Sequence, residues 1–175
     1  MNNFYYKVDK FFEDKKPAEA EQFMKDTLTQ AEAECDAGAV ITVCNELGGY
    51  YRATSRYAEG IELYEKALKI MKDMGLGASE HYGTTLVNYA TMYTMMGDLI
   101  KALNLYTEAA EIYAAAGLGG DYRLAALFNN MSYVCQDLQD YPQAQEYLEK
   151  TLFILKSQPD SEIEVAIANT NLAGV

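Results

Sequence analysis

Asn88-Tyr89-Ala90-Thr91-Met92-Tyr93, followed by Gly97-Asp98-Leu99-Ile100-Lys101-Ala102-Leu103-Asn104-Leu105-Tyr106, lies without a gap over Glu46-Leu47-Gly48-Gly49-Tyr50-Tyr51 and Ser55-Arg56-Tyr57-Ala58-Glu59-Gly60-Ile61-Glu62-Leu63-Tyr64 at an offset of 42 residues. A third copy follows at the same offset. Its columns read Gly48, Ala90, Ser132; Tyr51, Tyr93, Cys135; Gly60, Ala102, Ala144; Tyr64, Tyr106, Leu148; Ala67, Ala109, Thr151; and Ile70, Ile112, Ile154. Small residues stay small and most large ones stay large. A fixed period in this range is the mark of a repeat array, in which each unit buries its apolar face only against its neighbours.

Within each unit the period is helical. From Leu99 to Ile112 the apolar residues Leu99, Ala102, Leu103, Tyr106, Ala109, Ala110 and Ile112 recur at spacings of three and four, which is one face of a helix. Gly75-Leu76-Gly77 and Gly117-Leu118-Gly119 place a glycine where a helix would end in a left-handed cap with a leucine just beyond it. Pro159 stops the third copy, Ser161-Glu162-Ile163-Glu164 then has the form of a capping box, and Asp121 can cap a helix before it. The small columns let antiparallel helices approach closely while Tyr, Leu and Ile fill the grooves beside them.

The chain extends this pattern in both directions. Ala20 to Leu28 reads like Ala144 to Leu152, with residues 2–14 as a shortened first half, and Asn171-Leu172-Ala173-Gly174-Val175 matches Asn130 to Val134 at an offset of 41. The expectation is an all-α, right-handed superhelical solenoid of antiparallel helix pairs with about four repeats. It forms one domain over 1–175, with repeats at about 1–35, 36–77, 78–119 and 120–158 and a partial one at 159–175. The last stretch, with Ile163, Val165, Ile167, Leu172 and Val175, is apolar where a terminal repeat is expected to be polar. Either further repeats or a second copy in a homodimer would cover it.

Composition narrows the function class. With 175 residues and 50% hydrophobic content the chain can bury a core. Fourteen Lys and Arg against 26 Asp and Glu give a net charge of −12, and no basic patch stands against that field, which speaks against nucleic acid and anionic membranes. Neither a signal peptide nor a membrane span is legible, so a cytoplasmic location is expected, and three cysteines suit free thiols.

The columns Gly48/Ala90/Ser132, Tyr51/Tyr93, Gly60/Ala102/Ala144, Tyr64/Tyr106 and Ala67/Ala109 resemble the tetratricopeptide repeat family. The period exceeds the usual ~34 by about two helical turns. In this it is similar to the longer variety found in kinesin light chains and in bacterial peptide-sensing regulators of the Rap type, and Leu127-Phe128-Asn129-Asn130-Met131-Ser132 is close to that variety's Leu-Asn-Asn-Leu-Ala run. The resemblance implies a protein-interaction scaffold whose concave groove holds a peptide or partner segment, and not an enzyme. The alternative is a peptide-sensing module of a bacterial signalling or transcription regulator, in which binding shifts a conformational population. Members that hold a terminal carboxylate use Lys, Asn and Arg on their first helices. Asn45, Gly49, Val87, Thr91, Asn129 and Tyr133 stand there, without the basic members, so that clamp is not carried over. The tryptophan of many such repeats is replaced by Cys44, Leu86 and Phe128.

The groove residues follow from one polar column, Glu46, Asn88, Asn130 and Asn171, joined by Asn45 and Asn129. An amide side chain carries donors and an acceptor, which suits an extended peptide backbone of any sequence, although such amides can also satisfy one another. Arg52, Thr91, Thr94, Tyr133 and Gln136 are expected beside them, with Tyr133 and Arg52 the residue types richest in binding hot spots. The partner expected is a neutral or basic protein or peptide. His81 has no second ligand at metal spacing, and Gly117 to Gly120 follows a helix and lacks the Lys-Ser/Thr ending of a phosphate loop. Neither a metal nor a cofactor is expected, and no catalytic arrangement emerges. Cys44 and Cys135 fall in core columns and Cys35 near a helix end, while the acidic stretch Ala18-Glu19-Ala20-Glu21 reads as a solvated face.

Overall fold

The computed structural model describes residues 2–159 and 161–175. Every regular element among them is helical: α1 (Asn2–Glu13), α2 (Pro17–Ala33), α3 (Ala37–Ala53), α4 (Tyr57–Asp73), α5 (Glu80–Met96), α6 (Leu99–Ala115), α7 (Tyr122–Asp137), α8 (Tyr141–Leu155) and α9 (Glu162–Ala173). The fold is thus the all-α array of helix pairs expected from the columns. It divides into two compact units, Met1–Gly77 and Ala78–Val175.

In the first unit α1 packs on α2, α2 on α3 and α3 on α4. Phe4, Val8, Met24, Val43, Leu47 and Tyr51 form one cluster, and Ala31, Val40, Cys44 and Ala67 a second. Glu21 departs from the solvated face expected of its stretch. Its carboxylate is mostly buried and accepts from Arg56 Nη1 at 2.7 Å and from the Tyr51 hydroxyl at 3.3 Å, with Lys25 Nζ at 2.5 Å. These cations hold its carboxyl below the usual range, the Lys25 bond contributing most. The alternation of Ala and Glu hides this, since both cations lie at a distance in sequence or one turn on.

In the second unit α5 pairs with α6 and α7 with α8, while α6 packs on α7 and α8 on α9. The small columns sit against large side chains. A Cβ on Gly48 would lie 2.9 Å from the Tyr64 ring, and one on Gly83 would lie 2.7 Å from the ring of Tyr113. Ala90, Ala102, Ala109, Ala125 and Ala144 are fully enclosed. One repeat later the Gly83 and Tyr113 columns hold Ala125 and Leu155, so a methyl gained on one helix accompanies a smaller partner on the other.

The turns follow the predicted chemistry and extend it. Gly75 and Gly117 have φ of 74° and 80°, with Leu76 N–H donating to Met71 O and Leu118 N–H to Tyr113 O, so each leucine closes the cap as expected. Gly97, at φ 81°, shares a column with Ser55 and Gln139, which take the same left-handed conformation without being glycine. Asp36, Asp98, Asp121 and Asp140 each accept a backbone N–H at a helix start. The predicted capping box at Ser161 does not form. The Ser161 hydroxyl, with its single proton, is drawn back to the end of α8, facing Leu155 O at 2.5 Å and Gln158 O at 3.1 Å, and it caps no N–H of α9.

Two predictions follow from these contacts. Gly83→Ala will lower stability by about 1–3 kcal/mol through overpacking against Tyr113, and adding Tyr113→Leu will recover much of that loss in a urea double-mutant cycle. Asp121 caps α7 through Arg123 N–H at 2.8 Å, and the Arg123 guanidinium, followed by this backbone bond, holds its carboxyl at about 2 against an ordinary 3.8. A depressed carboxyl stabilises the fold above its unfolded pKa and loses that contribution as pH falls. Asp121→Asn should therefore differ from the parent at neutral pH and converge with it between about pH 4 and pH 2 in acid-unfolding titrations.

Candidate functional site

The first helix of each pair in the second unit carries its buried and polar residues on different faces. On α7, Leu124, Ala125, Leu127, Met131, Ser132, Val134 and Cys135 are buried. Tyr122, Ala126, Asn129, Tyr133 and Gln136 fall on one stripe at spacings of three and four, with Tyr122, Ala126 and Tyr133 exposed and the amides half-buried. On α5 the matching stripe carries Thr84, Val87, Asn88, Thr91 and Thr94. Packing against α6 and α8 buries the apolar faces and leaves these polar stripes outward.

The ten expected groove residues behave differently from one another. Asn129, Tyr133 and Asn171 come together: Asn171 Nδ2 donates to Asn129 Oδ1 at 3.2 Å and to the Tyr133 hydroxyl at 2.8 Å. The sequence alignment paired Asn171 with Asn130, one residue away. The spacing of Asn129 to Asn171, the repeat period itself, carried the signal. Thr91 and Thr94 donate to the carbonyls one turn back, Val87 O and Ala90 O, and the Thr91 hydroxyl also meets the Tyr106 hydroxyl at 2.9 Å. Asn88 and Asn130 are half-buried on the same face. Gln136 has a buried amide nitrogen without a hydrogen bond among the described residues.

Asn45 and Arg52 lie on α3, in the first unit. Asn45 Nδ2 donates to Ile41 O at 3.0 Å, while its Oδ1 is buried without a partner among the described residues. Arg52, half-buried, is close enough to Tyr64 to oppose the burial that pushes that phenol up to about 12. Burial, with Asp9 nearby, likewise raises the Glu46 carboxyl.

Sequence reasoning missed a cleft of about 220 Å³ in the second unit, bounded by α7, α8 and α9. Glu164, Thr151 and Tyr122 line it beside Asn129 and Asn130. Glu164 had been assigned to the capping box. With Ser161 turned toward α8, its carboxylate points elsewhere, and its Oε2 is buried without a hydrogen bond among the described residues. On α9, Ile163 and Ile167 are largely exposed.

The remaining reactive groups stand apart. His81 is exposed in the first turn of α5, and the described residues hold no group of three or more His, Cys, Asp or Glu placed to bind a metal ion. No helix among them is long and apolar enough to cross a membrane. Cys44 and Cys135 are buried, which pushes both thiols up to about 11, and Cys35 is exposed. Iodoacetamide at pH 8 should thus label Cys35 alone in the folded protein and all three thiols in denaturant, as counted by mass spectrometry.

The tetratricopeptide repeat profile matches residues 37–115 and again 81–157. The protein kinesin light chain-related 3 of Arabidopsis thaliana is 26% identical over 128 residues, 73% of this chain and 20% of that protein. The chain thus spans about a fifth of the length of this curated relative. Among solved structures, BtubC (BKLC) from P. vanneervenii superposes with a TM-score of 0.91 at 22% identity, over 99% of this chain and 70% of its own. A Signal Transduction ATPase with Numerous Domains from Pyrococcus horikoshii, which has a tetratricopeptide repeat sensor, superposes with a TM-score of 0.79 at 21% identity, over 96% of this chain and 25% of its own.

Proposed function

We propose, from the premise that the chain belongs to the tetratricopeptide repeat family, that its outward first-helix faces bind an extended peptide segment of a protein partner. Repeats of this family generally mediate protein–protein interaction, and the finer reading rests on the polar stripe of α7. There Asn129, Tyr133 and Gln136 lie along one line, with Asn130 at its side, and Asn88 and Thr91 are carried by α5. Main-chain N–H and C=O groups of an extended segment repeat along its length, and amide side chains spaced along a helix can pair with both. Tyr133, at 42% exposed, offers a rigid ring for a partner side chain. On α3, taken by itself in the first unit, Asn45 offers an amide and Arg52 donors only. The segment is neutral or basic, in keeping with the charge of −12. The exposed Ile163 and Ile167 of α9 are a second contact, toward another copy or another helical segment.

A sensing role is the alternative, and the sensor repeats of the Pyrococcus horikoshii protein are consistent with it. In that case binding compacts the array, which solution scattering with and without peptide would register. For the binding reading itself, Asn88→Ala with Asn130→Ala should weaken capture of partner peptides by about ten-fold or more, at roughly 1 kcal/mol for each lost hydrogen bond, in a variant whose thermal midpoint shows that it is still folded at the titration temperature. Isothermal titration measures the first and calorimetry the second; equal affinities in parent and variant would remove this face from the binding site.

A further inference from the structure

The cleft bounded by α7, α8 and α9 is too small for an ordinary small-molecule site, which spans roughly 300–1,000 Å³, and suits one long side chain. Two of its polar groups act there as acceptors alone. The Glu164 carboxylate is an acceptor, and its Oε2 is buried with no donor among the described residues. The Thr151 hydroxyl proton is directed at main-chain carbonyls, Ala125 O at 3.2 Å and Tyr147 O at 3.0 Å, so toward the cleft it offers only lone pairs. Asn129 and Asn130 add amides and Tyr122 a hydroxyl, groups that can accept as well as donate. Ala126, Leu155 and Ile167 form apolar walls. Acceptors set among apolar walls match a side chain with an alkyl stem and a cationic, donor-rich head.

The chain has little of its own to put there. The second unit holds four Lys and Arg against twelve Asp and Glu, a net charge of −8. Three of the four are engaged elsewhere: Arg123 is paired with Asp121 and Glu80, Lys150 with Glu146, and Lys101 lies over the Tyr93 ring and donates to its hydroxyl; the fourth, Lys156 at the end of α8, is exposed. Glu164 takes part in no ion pair among the described residues.

We propose that this cleft is a specificity subsite that receives one arginine or lysine side chain of the bound segment, with Glu164 as its counter-ion. The proposal rests on the reading of the α5 and α7 faces as a peptide-binding surface and narrows the partner to a segment carrying a cation at a fixed place. An unpaired buried carboxylate oxygen is costly, and an incoming guanidinium or ammonium relieves that cost only when it reaches that oxygen.

The test is a backbone-amide NMR titration with four acetylated, amidated pentapeptides that differ only at the central residue of an alanine frame: arginine, lysine, norleucine or glutamate. The arginine and lysine peptides should shift the amides of Ala126, Asn130, Glu164 and Ile167 first. The norleucine peptide, and the arginine peptide on the Glu164→Gln variant, should each bind roughly ten-fold or more weakly. Equal binding by arginine and norleucine peptides, or an unchanged affinity in Glu164→Gln, would overturn the counter-ion assignment while leaving the peptide-binding surface intact. Shifts spread over the acidic surface without focus on the cleft would also overturn it, as general attraction to the chain's charge. Absence of binding by all four would overturn the peptide-binding reading and this inference with it.

Discussion

Close approach of paired helices is the constraint on which the other features rest. A large side chain on the second helix of a pair can lie flat against the first only where the first carries a small residue, and Gly48 under Tyr64 and Gly83 under Tyr113 leave no room for a methyl group. This packing also reaches the surface chemistry. The ring of Tyr106 passes between helices and ends at the Thr91 hydroxyl, and that of Tyr113 ends at Thr84, so buried phenolic oxygens support threonines of the polar stripe of α5 from beneath. A tyrosine here serves the core with its ring and the polar face with its hydroxyl. Exchanging it for leucine, as at Leu148, keeps the first role and gives up the second.

Equal helix lengths keep that arrangement in register. From α2 to α6 every helix has 17 residues, and each connection within these pairs uses one left-handed residue. Where that residue is glycine the conformation is free of strain, while Lys15, Cys35, Ser55 and Gln139 accept it at a cost of about 1 kcal/mol each. That four side-chain-bearing residues adopt it indicates how firmly the flanking helices dictate the turn: shortening or lengthening it would rotate the next helix and turn its small column away from its ring.

Features set by local pattern were legible in the sequence. The period, the helical spacing and the Gly-Leu-Gly stops depend on residues close in the chain, and the structure has them where the columns place them. Features that depend on which distant group arrives were not. Glu21 looks solvated beside Ala20, yet Arg56, from the start of α4, closes over it. Ser161 and Glu164 have the spacing of a capping box, yet the Ser161 hydroxyl faces Leu155 O and Gln158 O, the carbonyls that close α8, and leaves the N–H groups of α9 uncapped. Asn171 was aligned one position off, because an offset of 41 fits its neighbours' sizes while the amide itself meets Asn129. The residues of the polar face were readable as types; which of them are already satisfied by the chain, as Thr91 and Thr94 are, and which have a bare buried atom, as Gln136 and Glu164 have, was not.

That distinction decides how the acidity of the chain bears on recognition. A net charge of −12 attracts cations from all sides, but salt confines such attraction to about 8–10 Å at physiological ionic strength. Exposed carboxylates remain hydrated whether or not a partner arrives, so they speed encounter more than they choose a sequence. A carboxylate oxygen held away from water differs, because the free protein leaves it without a donor and a partner that supplies one gains on both counts. Enclosed acceptors are therefore better placed than total charge to select a partner, and in the second unit Glu164 Oε2 is such an atom, three residues from a Ser161 hydroxyl that bonds back to Leu155 O.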